Sequence, residues 1–155
     1  MSRDPEVVEG VPVGEMAVAW ALLVAACAAG ALLTGQFSRF SLRLAAPCLL
    51  FGGLLALAAV RVLGRGQELV TRGPYRWVRH PYFLGILLML VGAIIAMRSL
   101  PALILFYPAV RVTLVRATRE EHNLALRFGE TYLAYRQRVS FILPIRPPLP
   151  RSPAS

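Results

Sequence analysis

Leu69–Gly85, LVTRGPYRWVRHPYFLG, is the stretch whose reading decides the fold. Three arginines (Arg72, Arg76, Arg79), two aromatics (Tyr75, Trp77) and the pair His80-Pro81 sit there between hydrophobic blocks. Polar and aromatic side chains pressed against a membrane-length apolar run mark a water–lipid boundary. A proline at the first helical position is well tolerated, because the N–H it lacks had no partner there. Pro81 is therefore expected to open a helix running to Met97, with His80 at or next to its N-cap. The free N–H groups and the positive end of that helix dipole would favour an anionic group beside His80.

Composition points the same way. Of 155 residues, 57% are hydrophobic and 16% charged, with a mean hydropathy of +0.60. A soluble domain of this size carries fewer apolar residues and more charge. The 17 basic residues are all arginine, against 8 acids, for a net charge of +9. They flank apolar runs instead of lining one soluble face, which suits anionic headgroups better than nucleic acid. Cys27 and Cys48 fall inside apolar runs as small hydrophobes. No C-x-x-C or Cys/His cluster suggests a metal site or a disulfide framework. Asp4, Glu6, Glu9 and Glu15 outnumber Arg3 at the start of the chain. A secretory signal needs a positive n-region, so the first apolar run is expected to be a retained span.

Four apolar runs follow from the pattern. Residues 16–35 are uncharged and reach the ~20 residues needed to cross the hydrocarbon; residues 44–60 give a second span, ended by Arg61. The third, 82–97, is closed by Arg98-Ser99, and the fourth, 100–115, is interrupted by Pro101, Pro108 and Arg111. Sixteen helical residues cover roughly 24 Å, so the last two runs are expected to form a tight hairpin. Gly85, Met89, Gly92 and Ala96 recur along one face of the third run, which a neighbouring helix can approach closely. Four spans put both termini on the side of the loop at 61–80, whose five arginines make that side cytoplasmic. Beyond Val112 a helix should continue to Phe128 and stop at Gly129. A short amphipathic segment, 131–142, then carries Tyr132, Tyr135, Arg136 and Arg138. The expectation is one all-α, polytopic membrane domain over 1–155. It comprises a tail (1–15), two spans (16–63), a motif-bearing hairpin with a cytoplasmic-side helical cap (64–144) and a Pro-rich tail (145–155).

Few residues in this pattern could do chemistry. Arg116 and Glu120 are four apart on one predicted helix and share a face. An ordinary interfacial ion pair would show the same spacing, although ionisable groups just beyond a span are expensive unless used. His80 reads equally well as a helix-capping interfacial histidine, and Tyr75, Trp77, Tyr82, Tyr132 and Tyr135 as an aromatic belt. Gly64, Gly66 and Gly73 make no dinucleotide fingerprint, since no strand precedes them. Spacing by itself stops at a small helical membrane protein with a polar cluster on its cytoplasmic side.

The two clusters together go further. Arg79-His80-Pro81, with Gly85 beyond, resembles the R-H-P-x-Y-x-G motif of integral-membrane methyltransferases. Arg116…Glu120-Glu121…Leu124…Phe128-Gly129…Tyr132…Tyr135 resembles their second, E-E-containing motif. That superfamily includes isoprenylcysteine carboxyl methyltransferases and phospholipid N-methyltransferases, and the likeness covers about half the chain, from Leu69 to Pro144. One position departs: the motif tyrosine is Phe83 here, and Tyr82 could supply its hydroxyl only by pointing the same way, although helix neighbours diverge.

The resemblance implies S-adenosylmethionine as cofactor. Leu69, Val70, Tyr75, His80, Pro81, Tyr82 and Phe83 correspond to positions lining its pocket, Glu120 to the acid that contacts it, and Arg116 to the arginine tied to substrate binding and catalysis. It implies a lipid-soluble methyl acceptor, either a prenylated cysteine carboxylate or a phospholipid, at the cytoplasmic face of the cell's inner membrane. Because Arg116 precedes Glu120 by four residues, carboxyl O-methylation is favoured. Phospholipid N-methylation and a catalytically silent scaffold are the alternatives. The partners expected are membrane lipids and no nucleic acid.

Overall fold

The computed structural model describes residues 13–34, 39–63, 68–98 and 100–146. The expectations for the acidic tail at Asp4, Glu6 and Glu9, for Gly64 and Gly66, and for most of the Pro-rich tail lie outside them. The described residues are helical and contain no strand: α1 (Val13–Thr34), α2 (Arg39–Val62), a 3₁₀ turn (Gly73–Arg76), α3 (Pro81–Met97) and α4 (Leu100–Arg138). Among them, α2 is long and apolar enough to cross a membrane, while Trp20–Gly30 and Pro81–Met97 are shorter apolar helices.

Helix α2 is turned inside out relative to a helix of a soluble protein. Its buried residues are small (Ser41, Ala45, Gly52, Ala56, Ala59), whereas Leu44, Leu50, Phe51, Leu54 and Leu57 point outward. Water would drive those large side chains inward; lipid leaves close packing of small faces as the main force between helices. The face expected on α3 meets this one. A Cβ on Gly85 would lie 2.6 Å from the Gly52 carbonyl oxygen, and one on Gly52 the same distance from that of Gly85. Farther along, the Ser41 hydroxyl donates to the Ala96 carbonyl at 3.2 Å.

The hairpin expectation needs correcting. The link between α3 and α4 is as short as expected, with Arg98 in the left-handed region (φ 47°) and its N–H bonded to Ile95. The two helices touch, Leu90 of α3 sharing a core cluster with Ala102 and Ala109 of α4, but α3 packs chiefly on α2, and α4 on α1. The glycine face of α3 is already occupied by α2, so α4 makes its contacts through Ala102 and Ala109 against Leu23 and Leu90.

Neither Pro101 nor Pro108 interrupts α4, which runs helically to Gly129. There the backbone breaks (φ 51°, ψ −130°), a conformation that suits glycine, and a further helical stretch reaches Arg138. The amphipathic segment thus ends four residues before 142. Residues 139–142 instead run beside the start of α3: Arg79 N–H bonds the Ser140 carbonyl at 2.9 Å and His80 N–H that of Phe141 at 3.2 Å. Val78 and Ser140 form an isolated parallel bridge. Both motif segments are clamped together by this pairing.

Candidate active site

His80 caps α3 through its backbone and not its side chain. Its φ/ψ of −121°/61° leaves no side-chain capping bond, and Pro81 follows at the first helical position. The imidazole is thereby free to turn toward α4, where it is only 5% exposed. Phe83 stacks on it at 5.7 Å between centroids, and Phe141 meets it edge-on at 5.0 Å.

Across from it stand Glu120 and Glu121. Neighbouring residues on an α-helix point about 100° apart, so the two acids do different things, and His80 lies between them. Its Nε2 is 3.4 Å from Glu121 Oε1 and its Nδ1 is 3.9 Å from Glu120 Oε2. Glu121 points inward, with Arg79 Nε at 2.8 Å and Arg136 Nε at 3.5 Å. Arg79 also donates to the Arg136 carbonyl at 2.9 Å and lies over the Phe141 ring. Burial pushes the Glu121 carboxyl up, but the His80 contact and the Arg79, His80 and Arg136 charges outweigh it and hold it below the ordinary carboxylate value. Glu120 keeps its side chain half exposed.

Two cavities meet at this point. The larger, about 260 Å³, is lined by Leu69, Val70, Tyr75, His80 and Glu120, together with Leu63, Glu68, Arg79, Leu124, Arg127, Phe128, Tyr132 and Tyr135. The smaller, about 190 Å³, shares Leu63, Tyr75, Arg79, His80 and Glu120 and adds Val60, Tyr82 and Phe83. Its extra walls come from the end of α2 and the first turn of α3, next to the apolar bundle.

The tyrosines of the larger cavity are neutral donors. Burial, then the charge of Glu120, raises the Tyr75 hydroxyl to about 12. Burial, followed by the Glu121 charge for Tyr132 and by Tyr132 for Tyr135, raises the other two. Tyr135 donates its hydroxyl to the Tyr75 carbonyl at 2.7 Å, tying the cap to the motif loop. The Tyr132 hydroxyl is buried on the Glu121 side of the cavity, where that carboxylate also helps to raise it.

Seven of the nine residues singled out from sequence therefore face these cavities: Leu69, Val70, Tyr75, His80, Tyr82, Phe83 and Glu120. Pro81 is buried behind them and shapes the turn. Arg116 lines neither cavity. Among the described residues it makes no ion pair with Glu120, and its Nη1 is buried without a hydrogen-bond partner. The i, i+4 pairing is thus not formed, because Glu120 turns to His80. Sequence reasoning underrated Glu121, whose place beside Glu120 in the motif was the available signal, and missed Phe141, which carried none.

Residues 58–126 match the model of the isoprenylcysteine carboxyl methyltransferase (ICMT) family. This segment is ICMT-like. A 74-residue stretch is 38% identical to protein-S-isoprenylcysteine O-methyltransferase B of Arabidopsis thaliana, covering 47% of this chain and 38% of that protein. The chain thus spans well under half the length of that curated relative. No solved structure matches. The ICMT-like segment holds His80 and both glutamates, but it stops short of Tyr132, Tyr135 and Phe141, which close the site from the cap.

Proposed function

We propose that the chain is an S-adenosylmethionine-dependent, isoprenylcysteine carboxyl O-methyltransferase-like enzyme acting on a lipid-soluble acceptor at the cytoplasmic membrane face. The observation that carries this is the convergence of His80 and Glu120, from the two motifs of an ICMT-like segment, where an aromatic cavity and an apolar one meet. Both termini lie on the cytoplasmic side in this reading, with four spans in the inner membrane. The outward-facing leucines of α2 support it.

The larger cavity suits the cofactor's chemistry. Glu120 presents a half-exposed carboxylate to an ammonium group. Tyr75, Phe128, Tyr132 and Tyr135 offer ring faces to adenine and to a cation. The N-terminus of α3 favours a carboxylate. When bound, S-adenosylmethionine supplies an electrophilic methyl group on a sulfonium.

The protein's own part is orientation and exclusion of water. A carboxylate acceptor needs no proton removed, since carboxyl groups ionise near pH ~4. Charge is neutralised as it attacks a sulfonium, so the apolar walls of Val60, Leu63 and Phe83 favour reaction by keeping water out. Arg116 lines neither cavity, but it has a buried N–H without an acceptor, and its planar fork could hold by two bonds a carboxylate that reaches past their walls. An amine acceptor would require a base. Glu121 is a poor one, since Arg79, His80 and Arg136 hold its carboxyl low, which leaves Glu120 and His80 on the cavity walls to take that part.

The test uses the purified full chain in micelles, with S-adenosylmethionine binding followed by calorimetry. Binding that is lost in His80→Ala and Glu120→Ala is expected. Folded protein that does not bind would leave the scaffold alternative standing. Labelled methyl transfer to a prenylcysteine acceptor and to total lipid extract then separates the chemistries: base-labile label means ester, base-stable label means methylamine.

A further inference from the structure

Arg79 separates the two cavities above from a third, open cleft of about 800 Å³ in the C-terminal cap, with which they share no other wall residue. We propose that this cleft binds the phosphate headgroup of one anionic phospholipid, independently of whether the chain transfers methyl groups.

Three guanidinium groups, those of Arg79, Arg136 and Arg146, line the cleft, and no carboxylate does. Behind the wall, the single carboxylate of Glu121 faces Arg79 and Arg136. Arg79 is engaged through Nε with Glu121 and through Nη1 with the Arg136 carbonyl, and is nearly buried. Arg136 gives Glu121 only its Nε, at 3.5 Å, and leaves half of its side chain exposed. Arg146 bonds the Gln137 carbonyl through Nη1 and has no acidic partner among the described residues. Two guanidinium groups thus remain with donors to spare.

The cleft floor adds a neutral donor. Ser140 is 6% exposed, and its oxygen accepts the backbone N–H groups of Ile145 and Arg146 at 3.2 and 3.0 Å. Its own O–H is left to donate. Two arginines and a hydroxyl converging on one open space suit a phosphate oxygen cluster, which is strongly anionic and accepts several bonds.

The apolar surroundings decide between a lipid and a free phosphate ion. Ile145, on the cleft wall, is 84% exposed, and Leu143 beside it is 62% exposed. Water opposes such exposure, and an inorganic ion does nothing to relieve it. A phospholipid satisfies both halves, with its phosphate on the arginines and its glycerol and upper acyl carbons on Leu143 and Ile145. Membrane-surface segments that combine arginines with exposed aliphatic side chains bind in this way.

Native mass spectrometry of the full chain, released from nanodiscs of mixed phosphatidylcholine and phosphatidylglycerol, tests the proposal. One phosphatidylglycerol should be retained in preference to phosphatidylcholine, and Arg146→Gln should weaken that retention about fivefold, the effect of one basic residue at an anionic surface. Circular dichroism of the variant shows that its fold is intact. Leu143→Ser/Ile145→Ser should also lower retention without removing any charge. Equal retention of both lipids, or undiminished retention by Arg146→Gln, overturns the proposal. Displacement of the lipid by millimolar inorganic phosphate also overturns it, by assigning the cleft to a free ion.

Discussion

Glu120 and Glu121 are adjacent and chemically identical, yet replacing each by glutamine should have very different effects on stability. The Glu121 side chain is 6% exposed and lies against Arg79, itself 10% exposed, at 2.8 Å. Glutamine keeps the shape but removes the charge, leaving the Arg79 guanidinium buried without its counter-ion. Breaking a buried pair in this way costs about 3–5 kcal/mol. The Arg136 contact adds little, because that side chain is 54% exposed and exposed pairs contribute about 1 kcal/mol or less. Glu120 is half exposed and 3.9 Å from His80, so Glu120→Gln should cost no more than about 1 kcal/mol. Equilibrium unfolding of the full chain in mixed micelles, titrated with dodecyl sulfate and followed by circular dichroism, reads both values. A second variant isolates the cause: adding Arg79→Met to Glu121→Gln removes the stranded charge and should recover much of the loss. If Glu121→Gln unfolds within about 1 kcal/mol of wild type, Glu121 is not the electrostatic centre of the site and the reasoning fails.

The same carboxylate sets an acid limit. Its folded-state value lies below its unfolded one, so the folded protein binds fewer protons there and stability falls as pH falls. The loss should begin near the ordinary value of 4.5 and continue below it, and unfolding curves of Glu121→Gln should be flatter across that range. At the α2–α3 contact, Gly85→Leu would drive a side chain into the Gly52 carbonyl, 2.6 Å from the new Cβ. It should destabilise by at least about 1–3 kcal/mol, whereas the same change at Gly53, which has open space around it, should be tolerated. Tyr135→Phe removes the bond to the Tyr75 carbonyl and should cost about 1 kcal/mol, read as a lower unfolding midpoint. Arg116 lines neither cavity, so Arg116→Ala should cost little cofactor binding; if its fork holds the acceptor carboxylate, methyl transfer is abolished, and unchanged turnover would remove it from the mechanism.

The sequence by itself determined that the chain is helical, where α3 begins and where α4 breaks, but not that α2 already starts at Arg39 or that the last helical stretch ends at Arg138. Uninterrupted apolar runs leave the backbone no alternative to internal hydrogen bonding in lipid, Pro81 sets where α3 begins, and Gly129 breaks α4 because it alone tolerates the backbone required there. The close-approach face of α3 was equally legible, as Gly85, Gly92 and Ala96 recur at helical spacing. Which helix fills that face was not legible. Helix α4 follows α3 almost directly in the chain, and only the matching glycine of α2 shows that chain adjacency is overruled by fit. The site divides along the same line. Both motifs stood out as sequence, and so did His80 and Glu120. Local spacing also suggested an Arg116–Glu120 pair, whereas the fold brings His80 across from another helix to take Glu120 and leaves Arg116 without it. The buried Glu121 network and the clamp from Phe141 join residues tens of positions apart. Their energy depends on depth and direction in space, and neither is written into the order of the residues.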